Sequence, residues 1–284
     1  MDREPVRMQR SRPVMEGAGV RLKRAFGFGD PAESDPFLLL DDFRSTRRED
    51  YFRGFPWHPH RGIETITYVL KGRVEHTDSM GNSGIIGAGD VQWMTAGRGI
   101  IHQEMPAGEE TEEMEGFQLW ANLPARDKML RPRYQEVKTT EIPERVMEDG
   151  SVVRVICGRF DTTRGPVDRI VTEPDYLDVT LAPGADLYHR IPAGKNAFAY
   201  VIGGQGRFGD GDTVGNETLV FFSDGERIRL RASRTEPFRF LLCSGMGIGE
   251  PVAWQGPIVM NTKDELAQAF RELQDGSFLE PAGE

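Results

Sequence analysis

The sequence predicts an all-β protein made of two related domains, each a sandwich or barrel. Three observations carry this. Short apolar or alternating segments recur along the chain, punctuated by 33 glycines and 18 prolines, and closely spaced strands broken by turn residues are the pattern of antiparallel sandwiches and barrels. The chain also resembles itself, because Tyr68-Val69-Leu70 with Gly72 recurs 132 residues on as Tyr200-Val201-Ile202 with Gly204. That spacing is close to half of the 284 residues, a length that supports two apolar cores of ordinary size.

The N-terminal stretch is locally basic (Arg3, Arg7, Arg10, Arg12, Arg21, Lys23, Arg24), but Asp2, Glu4 and Glu16 interrupt it, as in a solvated edge. Strands are expected at 66–70, 90–94, 117–123, 151–156, 176–182, 197–203, 218–222, 227–232 and 238–243, where β-branched and aromatic residues cluster. The charged segment 137–150 with Pro143 is the best boundary, dividing the chain into 1–138 and 139–284. One helix is expected near the end. Thr262 and Glu265 have capping-box spacing, Leu266, Ala269, Phe270 and Leu273 share a face, and Gly276 follows.

The composition excludes some functions. With 35 Lys+Arg against 45 Asp+Glu the net charge is -10, which argues against direct nucleic-acid binding through a cationic face. No apolar run reaches the roughly 18 residues of a membrane span, and the first residues hold no signal-type apolar core. A cytoplasmic protein without a membrane segment is expected. Cys157 and Cys243 both lie in apolar stretches and are read as buried thiols rather than a disulfide.

The chemistry concentrates between Trp57 and Met105. Side chains two apart on a strand share a face, so His58 and His60 can present both imidazoles to one ion. His102 and Glu104 repeat that spacing. Three imidazoles and a carboxylate suit a divalent transition metal such as iron, manganese, nickel, copper or cobalt. A structural zinc would close its shell with cysteines, and neither cysteine is near. Desolvating such a cluster without an ion would cost several kcal/mol by the rule for unpaired buried polar groups. Glu64, four residues after His60, competes for the carboxylate role; Gly62 could bulge the strand and turn it away. Spacing leaves both carboxylates open.

These residues resemble the pirin family. The matching stretches are HPHRGIETITYVLKG at 58–72, GDVQWMTAGRGIIHQEMP at 89–106, DPFLLLDDF at 35–43 and GPIVMNTKDEL at 256–266. The resemblance implies a bicupin, two β-sandwich jelly-roll barrels packed face to face with a short C-terminal helix. It implies one metal, iron(II) first, on His58, His60, His102 and Glu104, leaving Glu64 beside the site. It also implies two functional classes. One is a dioxygenase that cleaves a flavonol such as quercetin with O2. The other is a non-enzymatic iron- or redox-dependent regulator that binds a transcription factor or metabolic enzyme.

In the enzymatic reading Glu104 is the expected base for the substrate hydroxyl. His76 and Gln103 are candidates to orient the ligands, Arg98 to fix a turn, and Phe55, Trp57 and Trp93 to wall an apolar pocket. In the second copy the repeat spacing places Arg190, Pro192 and Asn196 opposite His58, His60 and Glu64. His189 is then an ordinary strand or loop residue, and the second domain is expected to lack metal ligands. A monomer is expected, since the two barrels can cover each other's faces.

Overall fold

The computed structural model describes residues 1–29, 31–108 and 113–279. They form an almost entirely β architecture in which the one extended helix is Lys263–Asp275. Every strand expected from the sequence is present, with ends shifted by a few residues. Further strands lie in the N-terminal stretch (Pro5–Arg10, Arg12–Glu16, Val20–Phe26) and at Arg73–Asp78, Ser83–Ile86 and Ile100–Ala107.

The chain divides into two compact units. One comprises Pro13–Phe28, Phe37–Thr139 and Ile248–Glu284; the other comprises Met1–Arg12, Gly29–Pro36 and Thr140–Gly247. Set beside the expected cut after residue 138, the chain ends are exchanged. Pro5–Arg10 adds as an antiparallel edge strand to Thr218–Phe222, which satisfies an edge that would otherwise be open. Residues 248–284 return to the unit that holds the histidines.

That histidine-bearing unit has two large sheets beside the short pair Ala253–Gln255 and Ile258–Met260. The larger runs in the order Arg133–Val137, Val91–Thr95, Ile63–Lys71, Glu115–Asn122, Phe37–Asp42, Val20–Phe26, Arg12–Glu16. The smaller runs Phe55–His60, Ile100–Ala107, Arg73–Asp78, Ser83–Ile86. The other unit repeats the plan, with Lys195–Gly203 central in a seven-stranded sheet and Asp186–Arg190, Arg227–Ala232, Gln205–Phe208 and Val214–Gly215 in a four-stranded one. The self-similarity has a structural cause. Gly72 and Gly204 each end a central strand at positive φ (79° and 66°) before the next strand begins, a turn that glycine makes without steric cost.

In the second unit the apolar core is a closed cluster that includes Leu177, Val201, Phe208, Ile228, Leu230 and Phe240. Cys157 and Cys243 are buried and not joined in a disulfide, as expected. The histidine-bearing unit splits its core into a cluster around Leu22, Phe43, Val74 and Met114 and another around Leu38, Ile63, Met94 and Ile100, with polar side chains between.

The C-terminal helix starts as the sequence predicts. Thr262 and Glu265 make the reciprocal capping box, and Gly276 ends the helix in the left-handed conformation at φ 83°. Leu266 and Ala269 are buried against Ile258, Met260 and Phe278, with Phe270 and Leu273 packed beside them. No helix among the described residues is long and apolar enough to cross a membrane.

Candidate metal centre

Alternation along two adjacent strands builds the site. In the antiparallel pair Phe55–His60 and Ile100–Ala107, His102 lies opposite His58 and Ile100 opposite His60. Arg73–Asp78 flanks the other side, with His76 opposite Glu104. Side chains two apart share a face, so His58, His60, His76, His102 and Glu104 all point into one barrel. Gln103, between two of them, points the other way.

Two groups come close enough to hold a metal ion. The first is His58, His60 and His102; the second is His76, His102 and Glu104. His102 belongs to both. Glu104 thus sits beside the three-histidine group rather than inside its tightest part, held by the Thr67 hydroxyl (2.8 Å) and the Gln118 amide (2.8 Å). Trp120 Nε1 donates to the Gln118 carbonyl at 3.3 Å and orients that amide. Thr67, Gln118 and Trp120 come from two strands of the large sheet. Thr67 falls within the stretch 58–72 but nothing in its spacing marks it, and Gln118 and Trp120 lie outside the matching stretches, so only the fold reveals their role.

The ring nitrogens show what the histidines lack. His58 Nδ1 meets the Pro56 carbonyl at 2.8 Å, and His60 Nδ1 meets the Pro257 carbonyl at 3.2 Å. A carbonyl can only accept, so both Nδ1 atoms carry protons, and in the neutral rings both Nε2 atoms present lone pairs. Those two Nε2 atoms lie 3.1 Å apart, and the buried His102 Nε2 has no hydrogen-bond partner. Facing lone pairs repel, and a buried polar atom without a partner is costly. A divalent cation relieves both, so the donor set fits one. Burial, with the neighbouring rings, pushes both His60 and His102 well below the ordinary histidine range, which keeps their lone pairs available.

Glu64 resolves differently. Gly62 has φ 77° and breaks the strand between His60 and Ile63, so the alternation restarts. Thr67, whose hydroxyl reaches Glu104, fixes the inner face; Glu64, three residues earlier, is on the opposite one. There it accepts from Thr95 Oγ1 at 2.7 Å. Burial pushes it up to about 7 against that hydroxyl. Trp93, two residues before Thr95, shares that outer face and does not wall the site. Arg98 sits in a turn whose backbone N–H donates to the Leu130 carbonyl at 2.9 Å.

A groove of about 510 Å³ opens over His58 and His60 and is walled by Phe28, Leu39, Phe55, Trp57 and Trp120. At its polar side Arg24 grips Asp41 through Nε and a terminal nitrogen, both at 2.8 Å. Burial drives Asp41 up to about 6 although Arg24 pulls it down. Behind Glu104 lies a small apolar cavity of about 40 Å³ among Leu22, Phe43, Tyr51, Val74 and Met114.

The second unit shows what the same frame becomes with other side chains. Phe208 pairs with Leu230 as His76 pairs with Glu104, so Leu230 occupies the Glu104 position and Ile228 that of His102. His189 lies opposite Ile228, as His58 lies opposite His102, and Ile191 follows in the place of His60. This corrects the expected correspondence with Arg190 and Pro192 by one residue. The loop after Ile191 is one residue longer than the loop after His60, so a constant repeat spacing fails there. His189 is buried and stacked on Phe160 at 5.1 Å, and burial pushes it down to about 4.

Comparison with known proteins agrees with this architecture. The Pirin family model matches residues 19–121, and that of the Pirin C-terminal cupin domain matches residues 176–279. A pirin-like protein of Caulobacter vibrioides is 44% identical over 277 residues, covering 97% of this chain and 99% of its own. A pirin-like protein of Solanum lycopersicum is 43% identical over 271 residues, covering 94% and 89%. Among solved structures, the crystal structure of quercetin 2,3-dioxygenase from Acinetobacter baumannii superposes with a TM-score of 0.90 at 32% identity, covering 98% of this chain and 99% of that one.

Proposed function

The chain belongs to the pirin family, and we propose that its histidine-bearing barrel is a metal-dependent dioxygenase site that cleaves a flavonol such as quercetin with O2. His58, His60, His102 and Glu104 would hold one divalent metal, iron(II) first. When bound, the metal supplies Lewis acidity and a place where an electron-rich substrate and dioxygen can meet.

The chain's own residues do the rest. The observation that carries the reading is the convergence of His58, His60 and His102 beneath an aromatic groove, two of their Nε2 atoms 3.1 Å apart and the third without a hydrogen-bond partner. Trp57, Trp120 and Phe28 offer flat apolar faces to a planar ring system, and such a ring would shield the centre from bulk water. Glu104 is placed to take the proton of a substrate hydroxyl, with Thr67 and Gln118 fixing the carboxylate beforehand. Preset geometry of this kind lowers the ordering cost of reaching a reactive arrangement. The structure of a quercetin 2,3-dioxygenase that superposes over nearly the whole chain supports the same chemistry.

The test is metal analysis of the purified protein together with oxygen uptake on quercetin. About one equivalent of transition metal and uptake that stops on chelation is the expected result. One bound metal without uptake would sink the dioxygenase reading. It would favour the other class known in this family, a metal-dependent regulator acting through a protein partner.

A further inference from the structure

His76 and Asp78 lie outside the proposed ligand set of His58, His60, His102 and Glu104, although His76 comes close to His102 and Glu104, and both are buried directly behind that set. His76 Nδ1 lies 3.4 Å from His102 Nδ1, and His76 Nε2 lies 3.3 Å from Asp78 Oδ2. Asp78 also accepts from the backbone N–H groups of Met80 and Asn82 (2.9 and 3.0 Å) and from the Asn82 amide (2.8 Å). A carboxylate so supplied with donors is an acceptor only. We propose that Asp78, acting through His76, fixes His102 in the tautomer whose Nε2 lone pair faces the metal centre. The proposal rests on reading that cluster as a metal centre.

The direction of the chain of hydrogen bonds follows from its end. Facing a carboxylate, His76 Nε2 must carry a proton. A neutral His76 then has a bare Nδ1, which can only accept. His102 Nδ1 must therefore donate to it, and the one proton of that ring is used. His102 Nε2 is left with its lone pair, and it is the nitrogen without a partner. The reverse arrangement would set a lone pair of His76 against Asp78 and bury an unpaired N–H on His102, two penalties at once.

Backbone carbonyls set the tautomers of His58 and His60, whereas His102 has this side-chain relay. His76 is held flat by Tyr134, stacked at 5.0 Å. The other barrel carries Phe208 at the same position, with Leu230 and Ile228 where Glu104 and His102 stand in the first. An aromatic ring without nitrogen thus fits the frame, and the histidine is what the metal-bearing copy adds. His76 and Asp78 are positioning residues. Partners of this type in other sites are worth about 10- to 100-fold in metal affinity.

The experiment reads the His102 tautomer by long-range 15N–1H correlation in metal-free, 15N-labelled full-length protein, and separately the affinity for Co2+ by chelator competition. Expected for the parent is a protonated Nδ1 and a bare Nε2 on His102. His76→Phe, folded by near-UV circular dichroism, should lose that single tautomer and bind Co2+ about 10- to 100-fold more weakly. His76→Gln, which can accept from His102 and donate to Asp78, should recover most of both. Asp78→Asn should move both readouts in the same direction as His76→Phe, by less. A parent protein with the proton on His102 Nε2, or a folded His76→Phe with unchanged tautomer and affinity, overturns the relay. Failure of the parent to bind Co2+ overturns the metal reading instead, because the tautomer is read without metal.

Discussion

A Cβ on Gly62 would lie 1.9 Å from the carbonyl oxygen of Val259. Chain positions almost 200 residues apart therefore touch through backbone alone, immediately after the His58–His60 pair. Val259 N–H donates to the Arg61 carbonyl at 3.0 Å, and the Pro257 carbonyl meets His60. The returning C-terminal segment is thus a wall of the site. Gly62→Ala combines that clash with a left-handed conformation that costs an L-residue about 1–2 kcal/mol. We expect a fall in stability of at least that size and a purified protein with substoichiometric metal. A stable variant with full metal content would show that the contact is dispensable.

Lys128 closes the same contact from the other side. Its buried Nζ, whose pKa burial pulls down to about 7, donates to the carbonyls of Gly62 (2.9 Å) and Val259 (3.1 Å) and to Asn122 Oδ1 (2.7 Å). Lys128→Met keeps the volume and takes the donor from three acceptors, of which the Gly62 carbonyl keeps only the Leu123 N–H at 3.3 Å. Each unsatisfied buried group costs about 1–3 kcal/mol, with incomplete additivity, so about 3 kcal/mol of destabilisation is expected in urea denaturation. A midpoint equal to the parent's would refute this account.

Because the Nε2 lone pairs of His58 and His60 face each other, the metal should stabilise the fold as well as serve chemistry. Ligand linkage predicts about 2.7 kcal/mol when free metal is a hundredfold above its dissociation constant. Chelation should therefore lower the Tm of the parent. His60→Ala should show the same Tm with and without chelator, and a chelator response that survives in this variant would place the metal elsewhere.

The two carboxylates should separate cleanly. Glu104→Gln is expected to lose metal and Glu64→Gln to keep it; the opposite ranking would exchange their roles. Glu64 adds a pH signature. Its folded value is raised from 4.5 to about 7 by burial, so between those values the folded chain holds a proton that the unfolded chain has released. Stability contributed by this site therefore falls as pH rises from 4.5 to 7 and is level above. Glu64→Gln removes that slope and should gain on the parent by up to about 3 kcal/mol across the interval. Parallel stability curves for the two proteins would contradict it.

Much of this molecule is legible in local sequence, because strand alternation and helix capping are local physics. The spacing of His58 with His60 and of His102 with Glu104 puts each pair on one face of any strand, and the capping box of Thr262 and Glu265 needs only its own turn. Self-similarity around Gly72 and Gly204 likewise reports a turn that glycine alone makes easily. Other features depend on contacts between distant segments, which no periodicity encodes. Whether Glu64 joins the site turns on the φ of Gly62, and that angle answers to Val259. The tautomer of His60 answers to Pro257, and the grip on Glu104 comes from Thr67 and Gln118 on two other strands. His189 takes the place of His58 only once sheet register is known, since one added loop residue shifts every upstream position against the repeat. Sequence determined which groups face one way along each strand. Tertiary structure decided which strands meet, in what register, and therefore which of those groups share a centre.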